Sequence, residues 1–258
     1  METLKSIPSI NAHLHTPYSF SAFRDVDDAL DRAVAEGVKV VGINDFYTTQ
    51  GYEEWAKGCE KRGLYPLFGI ELIALDQEDQ QAGLRVNDPS NPGRTYLSGK
   101  GMSHPFRLQE PHASRLETLI KESNNLVERM CGRLNEVLIQ KKMGFTLDFD
   151  LMANELSKGL IRERHLAMAL RIKMSEHFTD KEQKSRAYEL LFGGKMLKSE
   201  LQDEAGVEGE IRANLLKAGG SAYVPEDPSA FLPVDAVIDI ILGAGGIPTY
   251  PFLGDDEE

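Results

Sequence analysis

Two kinds of hydrophobic pattern alternate along the first seventy residues. Short apolar runs at 7–15, 38–43 and 64–72 predict strands. Between them, a helix is expected from Asp25, whose acidic start suits a helix N-terminus, and a second over 52–61. Strand and helix alternating in units of about thirty residues indicate parallel βα architecture, and therefore an α/β fold. The stripe that the first helix would bury consists of Val26, Ala29, Leu30, Ala33 and Val34.

The pattern changes after the third strand. Residues 76–93 are rich in acids, Gly, Asn and Pro and predict a surface excursion, and residues 94–98 predict a fourth strand. Ser114 and Glu117 have the spacing of a capping box, so a long helix is expected from there to about Lys142. Helical spacing then continues to residue 217.

Strand and helix alternate again only near the end, with a helix at 233–242 and a strand at 246–250. We therefore expect residues 1–110 to form the first part of the βα fold, residues 111–225 a helical insertion or subdomain, and residues 226–258 the return to the first part. No helix follows the last strand, so this last part is expected to be truncated.

Composition narrows the classes of function. The net charge of −12 over 258 residues argues against a nucleic-acid partner, although a few local cations could still hold a small phosphorylated ligand. Cys59 and Cys131 lie far apart and form no CxxC pair, which fits a reduced compartment. No signal pattern or membrane-length apolar run is present. The sequence thus predicts a cytoplasmic protein without a membrane partner.

Candidate metal ligands stand where the first and third predicted strands end. His13 and His15 are two residues apart, so on a strand both imidazoles project from one face. Asn44-Asp45 ends the second predicted strand and Glu71 the third. Two imidazoles and a carboxylate form a plausible set for zinc, manganese or iron. The alternative is that the histidines are structural and that Glu71 is a solvated carboxylate.

These motifs resemble those of the PHP (polymerase and histidinol phosphatase) family. The resemblance rests on His13-Leu-His15-Thr16 with Ser19, on Gly42-Ile-Asn-Asp45 and on Gly69-Ile-Glu71. Later, residues 162–170 resemble the family's Arg-Pro-His-Ile-Ala helix start, and 218–225 and 245–251 the segments leading to its Ala-His-Pro strand. The resemblance implies a distorted (β/α)7 TIM-like barrel of PHP type, here with a helical insertion and without its C-terminal strands. It also implies phosphoester hydrolysis by a cluster of two or three metals.

The chain departs from the family pattern at several implied ligands. Phe20 stands where the family has Asp, and Phe46 and Tyr250 stand where it has His. Tyr96-Leu97 occupies the place of a further His, and the final Asp-x-His would fall beyond residue 258. The resemblance leaves His13, His15 and Glu71 as ligands of one position. The predicted cofactor is therefore one divalent metal (Zn, Mn or Fe) or none.

The resemblance also suggests residues that contact a substrate phosphate. His165, at a predicted helix start, is the predicted catalytic residue, with a guanidinium supplied by Arg162 or Arg164. Lys100, predicted in a flexible loop after the fourth strand, could also meet a phosphate. The alternatives are a capping or surface role for His165 and a solvated role for Lys100.

Two functions remain open on the sequence. The first is a metal-dependent phosphoric ester hydrolase that acts on a small phosphorylated metabolite. The second is a catalytically degenerate PHP-like domain that serves as a ligand-binding or interaction module. In the second, Phe20, Phe46 and Tyr250 would line a pocket and stack on a flat ring.

Overall fold

A computed structural model describes residues 9–88, 91–225 and 227–252. The first two residues of the predicted strand 7–15 therefore lie outside the described part. The described residues divide into two compact units. The first unit takes the chain up to Ile120 and again from Asp227, and the second takes the chain between them from Lys121.

The first unit is built on a mixed sheet of five described strands, ordered β1-β2-β3-β4-β5. β1, β2 and β3 run parallel, as the βα pattern predicts, whereas β4 pairs antiparallel with β3 and β5 pairs antiparallel with β4. The strands are β1 (Ile10–Leu14), β2 (Val40–Phe46), β3 (Tyr65–Leu75), β4 (Arg94–Lys100) and β5 (Ile247–Thr249).

The fourth strand reverses direction because, among the described residues between β3 and β4, no helix packs across the sheet. A parallel neighbour needs a crossover that packs on the sheet, usually a helix. The segment 76–93, predicted as a surface excursion, contains α3 (Gln77–Ala82), which has no buried residue and so does not serve as one. The chain therefore returns directly, and β4 pairs along β3 from Gly69 to Leu75.

Two predicted strand ends are therefore wrong. Glu71 does not end its strand, because the apolar run after it continues to Leu75 and is buried throughout. Lys100 is not in a flexible loop, since it is the last residue of β4 and pairs with both Gly69 and Ile247. Both residues consequently sit on rigid sheet backbone rather than on loops.

The sheet is strongly curved. The Nζ atom of Lys100, on β4, donates a hydrogen bond to the carbonyl oxygen of Ala12, on β1, over 2.8 Å. Three strand spacings separate β1 from β4, which in a flat sheet would be about 14 Å. A lysine side chain is far shorter than that. The face that carries Lys100 must therefore be concave.

Helices accompany the sheet of the first unit, and two of them, at 52–62 and 234–243, pack directly on its strands. The predicted first two helices are confirmed as α1 (Val26–Ala35), whose N-terminus is capped by Asp25, and α2 (Tyr52–Arg62). α4 (His112–Gln140) begins two residues before the predicted capping box, and inside it the Ser114 hydroxyl donates to the Glu110 carboxylate. α9 (Val234–Gly243) packs against β3 and β4, near the predicted position.

The second unit is helical, as the periodicity predicts. The later part of α4 packs there with further helices around a buried core that includes Leu134, Leu138, Leu166 and Leu170. Those helices are α5 (Phe149–Leu156), α6 (Glu163–His177), α7 (Lys181–Leu191) and α8 (Glu204–Ile211), the last continuing as a π-helical turn, Arg212–Leu216. Among the helices of the described residues, none combines the length and the apolar character needed to cross a bilayer.

Candidate metal centre

Three neighbouring strands bring the predicted ligands to one place. The register of β1 shifts between Asn11 and Leu14, and such an irregularity redirects side chains. His13 lies within this segment and His15 directly follows the strand. Glu71 is paired with Phe46 on β2 and with Ser98 on β4, which fixes its side chain on the concave face. The strand pairing thus gathers residues that are 58 positions apart in sequence (13 to 71).

The three donors have the spacing that one ion requires. Nε2 of His13 lies 3.3 Å from Nε2 of His15, and these nitrogens lie 3.5 Å and 3.1 Å from Oε2 of Glu71. Donors bonded to a tetrahedral ion at about 2.1 Å stand about 3.4 Å apart. Within the described part of the chain, no other three His, Cys, Asp or Glu side chains come this close together. The residues therefore fit one divalent ion.

The carboxylate of this group is held ionised. Glu71 is 4% exposed, and burial alone would raise its pKa. Hydrogen bonds from His13 and His15 outweigh this and hold the pKa of Glu71 below its ordinary value. A metal needs a deprotonated ligand, so the centre is prepared to bind a cation at neutral pH.

Asn44 borders the same group from β2. Its side chain is fully buried, and its Nδ2 lies 3.1 Å from Nε2 of His13 and 3.0 Å from Oγ of Ser98. Its Oδ1 atom has no hydrogen-bond partner. The sequence placed Asn44 at a strand end without a role, and gave Ser98 none.

Asp45 anchors the segment that carries His15. Its carboxylate accepts hydrogen bonds from the backbone N–H of Thr16 (2.7 Å), the Thr16 hydroxyl (2.5 Å) and the Ser19 hydroxyl (2.6 Å). Complete burial raises the pKa of Asp45, although these bonds oppose the rise. The polar residues after the first histidine pair thus fix the backbone beside the centre.

Two aromatic rings pack on His15 where the family resemblance implies further ligands. Phe20 and Phe46 stack on the imidazole with ring centroids 5.1 Å and 4.8 Å away. Phe46 is only 5% exposed, so most of its ring is used in packing. Tyr250 follows β5 and is 44% exposed. Substrate binding by these three residues stays a prediction.

Lys100 is partly buried on the concave face that also carries Glu71. Burial lowers its pKa to about 8, while the negative charge of Glu71 opposes this shift. The ammonium is thus mostly charged at neutral pH, and it donates a hydrogen bond to the Ala12 carbonyl. Whether it meets a phosphate stays a prediction.

The second unit places His165 and the two predicted arginines at the start of α6. Nδ1 of His165 accepts a hydrogen bond from the backbone N–H of Arg162 over 2.9 Å, which caps the helix. The imidazole is buried, and burial together with the Arg162 charge lowers the pKa of His165 to about 4. It is therefore neutral at physiological pH. Its catalytic role, and phosphate binding by Arg162 or Arg164, stay predictions.

Comparison with known proteins decides the family. The family model of the PHP domain matches residues 11–218. The chain belongs to the PHP domain family. The motifs from which the sequence suggested this family lie within the matched residues, apart from the segments at 218–225, of which only Ala218 is matched, and 245–251.

Curated relatives of this PHP domain include the DNA polymerase III α subunits of two bacteria. The Streptococcus pyogenes subunit is 38% identical over 66 residues, 25% of this chain. The Halalkalibacterium halodurans subunit is 26% identical over 90 residues, 34% of this chain. The matched regions span 6% and 8% of those subunits, far less than their full length.

Two solved structures share the fold of this PHP domain. One is a candidate metal-dependent phosphoesterase from Bifidobacterium adolescentis, at 18% identity and a TM-score of 0.62, covering 96% of this chain and 72% of that one. The other is an amidohydrolase from Chromobacterium violaceum, solved with sulfate and without metal, at 19% identity and a TM-score of 0.61. It covers 97% of this chain and 69% of that one.

Proposed function

We propose that this PHP domain is a metal-dependent phosphoesterase with a single ion position, acting on a small phosphorylated metabolite. The donor spacing at His13, His15 and Glu71 carries the proposal, because three ligands at 3.1 to 3.5 Å suit one Zn, Mn or Fe ion. The curvature of the sheet supports a distorted (β/α)7 barrel of PHP type around this centre. The net charge of −12 supports a small ligand rather than a nucleic acid.

The side chains around the centre would have separate roles in hydrolysis. A divalent ion, when bound, supplies Lewis acidity toward a phosphoryl oxygen and activates water. His13, His15 and Glu71 would hold it, and Asp45 fixes the Thr16 backbone so that His15 keeps its position. Lys100 adds a positive charge on the same concave face, which favours an anionic substrate.

An assay of phosphoesters tests this function. Phosphomonoesters and phosphodiesters of sugars and nucleosides are offered to the full chain after chelation and reloading with zinc, manganese or iron. We expect metal-dependent phosphate release that is lost in the variant carrying both His13→Ala and His15→Ala. Hydrolysis that survives in this variant would contradict the mechanism. An exposed histidine variant, His177→Ala, is the matched control.

A second candidate function is a ligand-binding domain without hydrolysis, and one observation favours it. Phe20 and Phe46 stack on His15 beside the centre, at positions where the resemblance implies further metal ligands. Such rings can hold a flat molecule but supply no donor to a second ion. Binding of a nucleotide or sugar phosphate without turnover, weakened by Phe20→Ala, would favour this candidate over the hydrolase.

A further inference from the structure

The three donors of the centre leave one side of an ion without a protein ligand, and Asn44 stands beside one of them. The terminal amide of Asn44 is 3.1 Å from Nε2 of His13, within the range of separations among the three donors. A second donor of a tetrahedral ion would be found at about this distance. The amide therefore lies where a fourth ligand could stand.

In its present orientation, the Asn44 amide has hydrogen bonds at Nδ2 but none at Oδ1. Its Oδ1 is buried without a partner, and such an atom costs about 1 to 3 kcal/mol when nothing compensates it. Gly69 lies beside it, and the three atoms nearest to where a Cβ of residue 69 would stand are all oxygens. They are Asn44 Oδ1 at 2.6 Å, the Gly99 carbonyl at 2.9 Å and the Ile43 carbonyl at 3.3 Å. Oδ1 thus lies on a side where the nearest of these atoms are carbonyl oxygens, which cannot donate to it.

Rotating the amide by half a turn removes this conflict. The oxygen and nitrogen of an Asn amide have nearly the same shape, so their assignment follows from the hydrogen bonds. After rotation, Nδ2 takes the place of Oδ1, on the side where these carbonyl oxygens lie. Oδ1 then takes the place next to Ser98, whose hydroxyl can donate to it, and next to Nε2 of His13.

We infer that Asn44 is the fourth protein ligand of the metal centre, through the rotated amide with Oδ1 directed at the ion. The inference rests on the ion position of the proposed function and deepens it. Asn44 adds an oxygen donor without charge, so Glu71 remains the only carboxylate of the set. The occupied centre keeps a net positive charge, which favours a substrate anion. Because zinc also accepts five ligands, and manganese six, a fourth protein ligand leaves room for a substrate oxygen.

Metal affinity of two Asn44 variants tests the inference. Zinc and manganese are titrated separately into the chelated full chain in competition with a metal indicator. Asn44→Ala should weaken binding about tenfold or more. Asn44→Asp has the same shape and adds a charged oxygen donor, so it should bind about tenfold more tightly than the natural chain. Asn125→Ala, on α4, is the matched control and should leave the affinity unchanged.

The outcomes separate the two claims. If the natural chain binds an ion and Asn44→Ala binds it equally well, Asn44 is not a ligand and the three-residue centre stands. If Asn44→Asp binds no more tightly than the natural chain, Asn44 only packs beside the centre and the inference fails. If the natural chain binds no ion, both the centre and the inference fail. Melting of the metal-free variants shows that each is folded, and should Asn44→Ala not fold, Asn44→Asp decides.

Discussion

In the first unit two imidazoles and a carboxylate converge on one point, whereas in the second unit a single carboxylate is surrounded by cations. Oε1 of Glu163 lies 2.7 Å from Arg212 and 3.6 Å from Lys217, and the charge of Arg162 also acts on it. Although burial would raise the pKa of Glu163, these cations hold it down to about 2. Glu163 is thus ionised, and the positive charges of its neighbours balance its negative charge.

The difference separates a binding centre from a structural cluster. Around Glu71, the donors point at a common position and the charge that would complete them is a metal cation. Around Glu163, the compensating charges are supplied by the protein itself, and His165 nearby uses its Nδ1 to cap a helix. The first arrangement predicts dependence on a ligand and the second predicts dependence on pH. Substitutions in the first unit test the dependence on a ligand, and substitutions in the second unit test the dependence on pH.

The largest effect is expected from removing the charge of the convergent group. Glu71→Gln keeps the shape of the side chain but removes the only carboxylate of the three ligands, so metal affinity should fall about 1,000-fold or more, about 4 kcal/mol. Competition titration with zinc measures it, and the exposed Glu60→Gln on α2 is the control. A metal affinity within about threefold of the natural chain would show that Glu71 is not a metal ligand.

The corresponding change in the second unit should alter stability instead. Glu163→Gln leaves Arg212 largely buried without its partner, which should cost about 3 kcal/mol at pH 7, measured by urea unfolding. Since the pKa of Glu163 is lowered when folded, its contribution is present above the unfolded value near 4.5 and is lost as pH falls toward 2. The two proteins should therefore converge in stability at low pH. A constant gap, or none at pH 7, would argue against a pH-sensitive pair.

His165 should give a second pH dependence with a different window. Because its pKa is about 4 when folded and 6.5 ordinarily, the unfolded chain takes up the proton first as pH falls. Stability from this group is complete above about 6.5 and is lost as pH falls to 4. His165→Asn keeps an acceptor for the cap without titrating, so between pH 6.5 and 4.5 it should lose about 2 kcal/mol less than the natural chain.

Urea unfolding at several pH values measures this slope. The exposed His177→Asn, also on α6, should retain the natural slope. Equal slopes for His165→Asn and the natural chain would show that this imidazole is not buried in its neutral form.

The smallest effect is expected at the anchor beside the metal centre. Thr16→Val removes the hydroxyl that donates to Asp45 and keeps the backbone N–H bond, so unfolding should become easier by about 1.5 kcal/mol. Zinc affinity should also fall, because His15 is held less firmly. Thermal and urea unfolding measure the first effect. Thr118→Val on α4, whose hydroxyl bonds to its own helix, is the control. A loss of stability no larger than in this control would show that the Thr16 bond to Asp45 does not stabilise this segment.

Much of the fold was accessible from the sequence because its signals are local. The first three strands, the helices between them and the helical second unit follow from hydrophobic spacing. The acidic start at Asp25 predicts the beginning of α1, and in the structure the Asp25 side chain caps that helix. The direction of β4 was not accessible, because it depends on whether α3 packs on the sheet. Lys100 was misplaced in a loop for the same reason, since Gly99 and Gly101 beside it are typical of loops while its strand pairing is long-range.

The metal ligands of the site can be predicted from the sequence, whereas most of the residues around them cannot. His13, His15 and Glu71 can be predicted because β1, β2 and β3 are neighbouring parallel strands, although Glu71 lies within β3 rather than at its end. Ser98 was not found, since its place opposite Glu71 depends on the register of an antiparallel pair. The unpartnered Oδ1 of Asn44 was also beyond the sequence, because hydrogen bonding in a buried face requires every neighbour to be known.

The metal stoichiometry of the full chain shows whether His13, His15 and Glu71 form a single ion site. The protein is stripped with a chelator, reloaded separately with zinc, manganese or iron, dialysed and analysed for metal per chain. We expect one tightly held ion per chain, which is lost in the variant carrying both His13→Ala and His15→Ala. No bound ion, or two or three ions per chain, or one ion retained without the two imidazoles, would contradict it.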